Sequence, residues 1–288
     1  MITVKNALEQ GIETLEQVSP QTARLDVQVL LSSVLDVERS MLFAYPERVL
    51  TSEQERRFQL LLARRVRGEP IAYLIGHEEF YGLDFLVDKR VLIPRPETEL
   101  LVEIALKVVG QILNTGRTPI VADIGTGSGI IPITVAMQEP RLPYLYASDI
   151  STEALEVASL NCKLHSVEQR VRLLHGDLLA PLPEPVDVLT ANLPYVGTSE
   201  LDVVESDVFN YEPHLALFSG PKGLDLLQRL FVESRSSGKL AKGAVLLLEI
   251  GYQQREALVS LLQEIWPGAK VTFSKDYAGW DRLLQVVT

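Results

Sequence analysis

Residues 121–130, with the sequence Val-Ala-Asp-Ile-Gly-Thr-Gly-Ser-Gly-Ile, decide the fold of this chain. The apolar start predicts a buried strand, and the alternate glycines predict a tight loop that leads into a helix. A dinucleotide-binding loop requires the spacing G-x-G-x-x-G, but Ile130 stands where its last glycine would be. Asp123 beside the loop favours a ligand with an amine or a positive charge over a phosphate. S-adenosylmethionine, which carries an ammonium and a sulfonium group, fits both observations.

The sequence on the carboxyl side of this loop alternates strands with helices. Strands are predicted near residues 119–124, 143–149, 170–175, 186–191 and 243–250, and helices near 129–138, 152–165, 223–240 and 253–265. This alternation indicates an α/β fold with a parallel sheet and right-handed crossovers. Only a short loop separates the apolar runs at 270–273 and 283–287, so they are predicted to pair as a hairpin. One of these last two strands must then run antiparallel to the rest.

The chain on the amino side of the loop has a different character. Residues 1–75 carry apolar positions at helical spacing, and arginines are concentrated in the third helical run at 53–67. This run is either a solvated helix face or a docking surface for a macromolecular partner. Residues 76–93 place aromatic side chains around a glycine turn and predict a β-hairpin linker. We therefore expect a helical domain over 1–75, a linker over 76–93 and a second domain over 94–288.

Acidic residues follow two further strands of the predicted sheet. Asp149 ends the second strand, where a carboxylate can accept hydrogen bonds from both hydroxyls of a ribose. A helix N-cap is the competing interpretation of Asp149, although Ser151 or Thr152 could cap that helix instead. Asp177 follows the third strand and could accept from an adenine amino group while Leu178 packs on the ring. The predicted cofactor site comprises Asp123, Gly125, Thr126, Gly127, Ser128, Gly129, Asp149, Asp177, Leu178 and Asn192.

The sequence Thr-Ala-Asn-Leu-Pro-Tyr at residues 190–195 follows the fourth predicted strand. Pro194 restricts Leu193 to extended backbone, which can turn the Leu193 carbonyl away from the strand ladder. This carbonyl and the Asn192 side-chain oxygen can hold a planar NH₂ group by both hydrogens, while Tyr195 stacks on its plane. Such a nitrogen, held in line with a sulfonium methyl, needs positioning and electrostatics but no general base before transfer. The predicted catalytic residues are therefore Asn192, Leu193, Pro194 and Tyr195.

Composition limits the remaining possibilities. The chain has 288 residues, a net charge of -11 and a single cysteine, Cys162. The acidic balance disfavours stable nucleic-acid binding, because phosphate neutralisation supplies most of that affinity. No Cys/His cluster has metal-ligand spacing, and no apolar run reaches the roughly 18 residues that a membrane helix needs. With one cysteine and no apolar signal core at the amino terminus, we expect a cytoplasmic protein that binds neither metal nor membrane.

Several stretches together resemble the HemK/PrmC family of protein-(glutamine-N5) methyltransferases. They are Glu-Phe-Tyr-Gly at 79–82, Leu-Ile-Pro-Arg-Pro-Glu-Thr-Glu at 92–99, the glycine loop, Asn-Leu-Pro-Tyr at 192–195, the segment at 211–220 and Leu-Glu-Ile-Gly at 248–251. The resemblance spans nearly the whole chain. It implies a Rossmann-like, seven-stranded methyltransferase domain that uses S-adenosylmethionine, preceded by a helical domain that helps to dock the substrate. The implied substrate is the glutamine of the Gly-Gly-Gln motif in class-1 peptide chain release factors.

The resemblance also implies roles for single residues. Asn192 and the carbonyl of Leu193 would hold the glutamine amide, and Tyr195 would pack on it. The family usually carries proline where this chain has Leu193. A leucine still supplies the backbone carbonyl but lacks the rigidity of a proline. The sequence leaves open the roles of Arg95, Glu97 and Glu212, which could line the mouth of the site or form salt bridges.

Four other functions stay open at this point. Two are enzymatic with the same cofactor: methylation of a glutamine in a ribosomal protein, and N6 methylation of adenine in nucleic acid, where Asn-Leu-Pro-Tyr also occurs. A third is a module that binds the cofactor or the release factor without catalysis. A nicotinamide oxidoreductase is disfavoured by the missing glycine and by Asp123. The sequence does not fix the oligomeric state, for which our expectation is a monomer.

Overall fold

The computed structural model describes residues 2–199 and 205–288, which divide into two compact units. One unit comprises the described residues up to His77 together with Glu205–Tyr211. The other comprises the remaining described residues from Glu78 onward. None of the helices in these residues combines the length and the apolar composition of a transmembrane segment.

The first unit is built from short helices around one apolar core. Its helices are α1 (Val4–Glu16), α2 (Ala23–Leu35), α3 (Arg39–Ala44), α4 (Ser52–Val66), α5 (Ile71–Ile75) and α9 (Ser206–Tyr211). Threonine side chains begin two of the long helices, because Thr3 accepts from the N–H of Asn6 and Thr51 forms a capping box with Gln54. The apolar faces of the helices meet around Phe58, which is almost completely buried. Short helices such as α3 and α5 were not predicted individually, because they contain too few turns to show a period.

A β-hairpin opens the second unit. Strands β1 (His77–Phe80) and β2 (Leu83–Leu86) pair with each other, and the turn residues Tyr81 and Gly82 both have positive φ. Two positive φ values in a two-residue turn match the right-handed twist of a hairpin. The Asn161 side chain donates to the Leu86 carbonyl at 3.0 Å and accepts from the Leu86 N–H at 2.7 Å. These bonds fix strand β2 to the helix that carries Asn161.

A seven-stranded sheet forms the centre of the second unit. Its strands are β3 (Val121–Ile124), β4 (Leu145–Asp149), β5 (Val171–His175), β6 (Val186–Ala191), β7 (Leu240–Glu249), β8 (Lys270–Lys275) and β9 (Asp281–Val287). The order across the sheet is β5-β4-β3-β6-β7-β9-β8, and β9 runs antiparallel to both of its neighbours. The predicted α/β class and the antiparallel tail are therefore confirmed. The order changes direction between β3 and β6, which is where open α/β sheets bind their ligands.

Helices cover both faces of this sheet. They are α6 (Glu99–Leu113), α7 (Ile130–Gln138), α8 (Thr152–Leu164), α10 (His214–Leu217), α11 (Asp225–Ser236) and α12 (Arg255–Ile265). A single 3₁₀ turn at Pro96–Thr98 precedes α6, and its proline fits a first helical position, where no N–H is needed. The strands bury their side chains in two apolar clusters. The helices α9 and α10 were not predicted, since each contains fewer than two turns.

Candidate active site

A cavity of about 410 Å³ lies at the carboxyl ends of β3, β4, β5 and β6. These strands are parallel, so the loops that follow them meet at one edge of the sheet. Ten of the predicted site residues line the cavity: Gly125, Thr126, Gly127, Ser128, Asp149, Asp177, Leu178, Asn192, Leu193 and Pro194. The structure therefore brings the predicted cofactor loop and the predicted substrate loop to one cavity.

Asp123, Gly129 and Tyr195 do not line this cavity. Asp123 lies in β3 and is 1% exposed, and its Oδ1 accepts from the Thr190 hydroxyl at 2.7 Å. Burial raises the pKa of Asp123 to about 7, although the hydrogen bond from Thr190 opposes the rise. Neither its Oδ2 nor the buried Thr126 hydroxyl, which lines the cavity, makes a hydrogen bond of good geometry to a described residue, although the nearby Thr126 hydroxyl also opposes the rise in the pKa of Asp123. The polar groups of this loop are therefore incompletely paired within the protein.

The three loop glycines serve different purposes. Gly129 is the N-cap of α7 with a φ of 84°, and a Cβ there would lie 3.3 Å from Ala158 Cβ on α8, so this glycine allows close packing of the two helices. A Cβ on Gly125 would lie 2.8 Å from Leu193 Cδ2, so Gly125 makes room for the substrate loop. Gly127 has a φ of 57° and open space beside its Cα. Only Gly127 therefore leaves its side of the loop free for a ligand.

Asp149 fixes the glycine loop through its carboxylate. Its Oδ2 accepts from the N–H of Gly127 and its Oδ1 from the N–H of Ser151, both at 2.8 Å. Burial raises its pKa, and these backbone hydrogen bonds oppose the rise. Ser151 caps α8 by accepting from the Ala154 N–H at 3.1 Å. The cap therefore belongs to Ser151, which leaves Asp149 for the loop and the cavity.

The wall after β5 combines a charged pair with apolar side chains. Asp177 accepts from the Arg229 guanidinium at 2.5 Å, and both side chains are about half exposed. Leu178 is buried, with a positive φ of 43°. Ile150, directly after Asp149, is 51% exposed and also lines the cavity. Sequence reasoning missed Ile150, although an apolar residue at an exposed strand end was a usable signal.

Side chains from three distant segments meet at the substrate end. The Asn192 Nδ2 donates to Thr98 Oγ1 at 3.1 Å, and the Thr98 hydroxyl donates to Glu249 Oε2 at 2.7 Å. Tyr195 donates from its hydroxyl to Glu249 Oε1 at 3.4 Å, and its carbonyl accepts from Gln254 Nε2 at 2.9 Å. Burial, followed by the charge of Glu249, raises the pKa of the Tyr195 hydroxyl, which therefore stays neutral at physiological pH. Thr98 lines the cavity beside Asn192 and was also missed from the sequence.

A buried glutamate holds the segment that forms the opposite wall. Glu212 is 4% exposed, accepts from the Ile93 N–H at 3.1 Å and forms an ion pair with Arg95. Ile93 and Arg95 line the cavity, as does Pro213 next to the glutamate. Arg95 and Glu212 therefore form a salt bridge that also braces the cavity wall. Within the described residues, no cluster of side chains has the composition of a metal site.

Comparisons with known proteins agree with this geometry. A PrmC N-terminal domain model matches residues 6–76, and a methyltransferase small domain model matches residues 99–211. A release factor glutamine methyltransferase from Koribacter versatilis is 39% identical over 94% of each chain. Another with the same name, from Moorella thermoacetica, is 39% identical over 98% of this chain and 97% of its own. The hMettl16 catalytic domain shares the fold, with a TM-score of 0.57 and 15% identity over 86% of each chain.

Proposed function

This chain belongs to the release factor glutamine methyltransferase family, and from that premise we propose that it methylates the glutamine of the Gly-Gly-Gln motif in a class-1 peptide chain release factor. The protein is a methyltransferase that uses S-adenosylmethionine. One observation carries the proposal most: Asn192 lines the same cavity as the glycine loop. An acceptor for an amide NH₂ and a cofactor loop thus share one cavity.

The residues of the cavity fit this cofactor. The buried Thr126 hydroxyl makes no hydrogen bond of good geometry to a described residue, and Gly127 leaves open space above the loop. Asp149 would accept from the ribose hydroxyls, while Ile150 and Leu178 would pack on the adenine. Asp123 lies beneath the loop and, when ionised, would attract the positively charged cofactor. When bound, S-adenosylmethionine supplies a methyl group activated by its positively charged sulfur.

The substrate end would act by orienting an unreactive nitrogen. The lone pair of an amide nitrogen is delocalised into its carbonyl, so the nitrogen is a weak nucleophile. Asn192 Oδ1 and the Leu193 carbonyl would accept one hydrogen each, which polarises the amide and fixes the direction of its nitrogen. Pro194 keeps Leu193 in extended backbone. The neutral Tyr195 hydroxyl cannot act as a base. Packing of the Tyr195 ring on the amide stays a prediction, since Tyr195 does not line the cavity.

The helical residues 1–75 would dock the release factor, with residues 76–93 as linker and 94–288 as catalytic domain. Support comes from the match of residues 6–76 to the PrmC N-terminal domain. The arginines of α4 offer a charged face for this purpose, since Arg57 lies exposed there. We expect the enzyme to act as a monomer in the cytoplasm, where release factors work, without a stable complex with nucleic acid.

Mass spectrometry of the substrate tests this proposal. A purified release factor is incubated with enzyme and S-adenosylmethionine, and its Gly-Gly-Gln peptide is expected to gain the mass of one methyl group. Ribosomal proteins and RNA are offered in parallel with labelled cofactor. Label in a ribosomal protein or in adenine, with an unmodified Gly-Gly-Gln peptide, would refute the release factor as substrate and identify the alternative.

A further inference from the structure

A relay of hydrogen bonds leads from the Asn192 side chain into the interior of the second unit. Asn192 Nδ2 donates to Thr98 Oγ1 at 3.1 Å, and Thr98 donates to Glu249 Oε2 at 2.7 Å. Thr98 has no exposed surface and Glu249 is 2% exposed. The second carboxylate oxygen accepts from the Tyr195 hydroxyl at 3.4 Å. One buried carboxylate is thus connected to Asn192, which lines the cavity, and to Tyr195, which does not.

The direction of the relay follows from the number of hydrogens available. A hydroxyl carries one hydrogen and an ionised carboxylate carries none, so the Thr98 hydrogen must point to Glu249. Thr98 can then only accept from Asn192, which requires the NH₂ side of the amide to face Thr98. No hydrogen bond to the opposite atom, Asn192 Oδ1, occurs among the described residues. The amide oxygen is therefore left as a free acceptor.

We propose that Thr98 and Glu249 are positioning residues, which hold the Asn192 amide in the one orientation that accepts a hydrogen from the substrate. The inference rests on the proposed function, because it assumes that Asn192 Oδ1 meets an NH₂ group. A side-chain amide can turn by 180° with little change in shape. Turned in this way, Asn192 would present its own NH₂ group to the substrate NH₂ group, and two donors would face each other. The relay excludes that arrangement.

Two charged groups on neighbouring elements act on Glu249, which ends β7. Arg282 on β9 favours the ionised form, and Glu97 in the turn before α6 opposes it. The hydroxyls of Thr98 and Tyr195 favour the ionised form through hydrogen bonds. Burial has the largest effect, and the pKa of Glu249 is raised to about 7. The acid can therefore change its charge near neutral pH.

Protonation of Glu249 would allow the hydrogen bonds between Asn192, Thr98 and Glu249 to reverse their donors and acceptors. A protonated Glu249 can donate to Thr98, whose own hydrogen is then free to turn toward Asn192. Both orientations of the Asn192 amide become possible, and only one of them is productive. We therefore expect kcat to fall as the pH drops below about 7, through the pKa of Glu249.

The first test removes the Thr98 hydroxyl with little change in shape. Thr98→Val is expected to lower kcat by about 10- to 100-fold, because an oriented hydrogen bond is lost, with little change in affinity for S-adenosylhomocysteine. Thr98→Ser restores the hydroxyl and should recover kcat to within about threefold of the unmodified enzyme. Thr134→Val is the matched control, since the buried Thr134 hydroxyl makes no hydrogen bond within the described residues. This control should leave kcat unchanged.

The second test removes the titratable group. Glu249→Gln is expected to lose the fall of kcat between about pH 7 and pH 6, because no acid remains to take up a proton. Unchanged kcat in Thr98→Val, or an unchanged pH profile in Glu249→Gln, would overturn the proposal. If Thr98→Val no longer binds S-adenosylhomocysteine, the Glu249→Gln profile decides alone. Failure of the proposed function looks different, because the unmodified enzyme would then leave the Gly-Gly-Gln peptide without a methyl group.

Discussion

The two ends of the cavity are held in place by different kinds of bond. At the cofactor end, the Asp149 carboxylate accepts from the backbone N–H groups of Gly127 and Ser151. At the substrate end, Asn192 is held by the side chain of Thr98, which in turn is held by that of Glu249. The N–H groups of Gly127 and Ser151 remain after any substitution of these two residues except proline. The hydrogen-bonded chain from Asn192 to Glu249, by contrast, is broken when any one of its side chains is removed. The substrate end should therefore be the more sensitive to single substitutions.

Asn192→Ala should have the largest effect. Removal of a hydrogen-bonding group that acts on the reacting amide is expected to lower kcat by about 10²- to 10³-fold, whereas affinity for S-adenosylhomocysteine should change little. Steady-state methyl transfer and calorimetric titration measure the two quantities. Asn114→Ala is the control, because Asn114 is an exposed residue bonded to Arg141. Equal losses of turnover and cofactor affinity would mean that the cofactor end and the substrate end of the cavity do not act independently.

Gly125→Ala should damage both ends at once. Gly125 has a φ of 72°, and a Cβ there would lie 2.8 Å from Leu193 Cδ2. We expect cofactor affinity and kcat each to fall by about tenfold, because both loops must shift. Gly116→Ala is matched for backbone strain, since Gly116 has a φ of 84° but nothing within 4 Å of its Cβ position. Similar activity in the two variants would show that contact with Leu193 is unimportant.

Asp123→Asn should show by how much the buried Asp123 carboxylate lowers the free energy of unfolding above neutral pH. The pKa of Asp123 is raised to about 7 by burial, so folding takes up a proton between about pH 4 and pH 7. The free energy of unfolding of the native protein should therefore decrease as pH rises through this range. At pH 8 the variant should be more stable by about 1–3 kcal/mol, with a smaller pH slope in urea denaturation. An unchanged slope would contradict a buried, titrating Asp123, and Asp36→Asn, at an exposed position, provides the control.

Arg229→Ala should have the smallest effect. Its ion pair with Asp177 joins side chains that are 49% and 45% exposed, so the free energy of unfolding should fall by less than about 1 kcal/mol. If Asp177 binds the adenine amino group, Asp177→Ala should weaken S-adenosylhomocysteine binding several-fold more than Arg229→Ala does. Calorimetric titration of both variants measures this difference. Equal affinities would remove Asp177 from the cofactor site.

Local sequence was sufficient for the sheet and for the loops that follow its strands. β3 and β6 are uniformly buried, and their apolar runs predict strands without reference to the rest of the chain. Glycine spacing and the position of Asp149 at a strand end are equally local signals. These features lie within a few residues of each other in the chain, where periodicity and turn chemistry are informative.

Sequence reasoning did not find the relay behind Asn192. Thr98, Asn192 and Glu249 lie on separate elements and meet only through the register of β6 against β7 and the placement of α6. Thr98 looked like an ordinary residue at a helix start. Glu249 did give a signal, because it is a single acid at the end of the apolar run Leu246–Leu248. A charged residue can be buried there only if it has hydrogen-bonding or charged partners, but the sequence does not show which residues those partners are.

Leu193 limits how freely parts of this site can be exchanged with those of other enzymes. Its side chain is 4% exposed and lies where a Cβ on Gly125 would have to go. Replacement by the proline common in the family would restore rigidity but empty the space that the leucine fills, and unfilled space in a packed interior is destabilising. The glycine loop and the Asn-Leu-Pro-Tyr segment are therefore a matched pair, to be grafted or redesigned together rather than as independent modules.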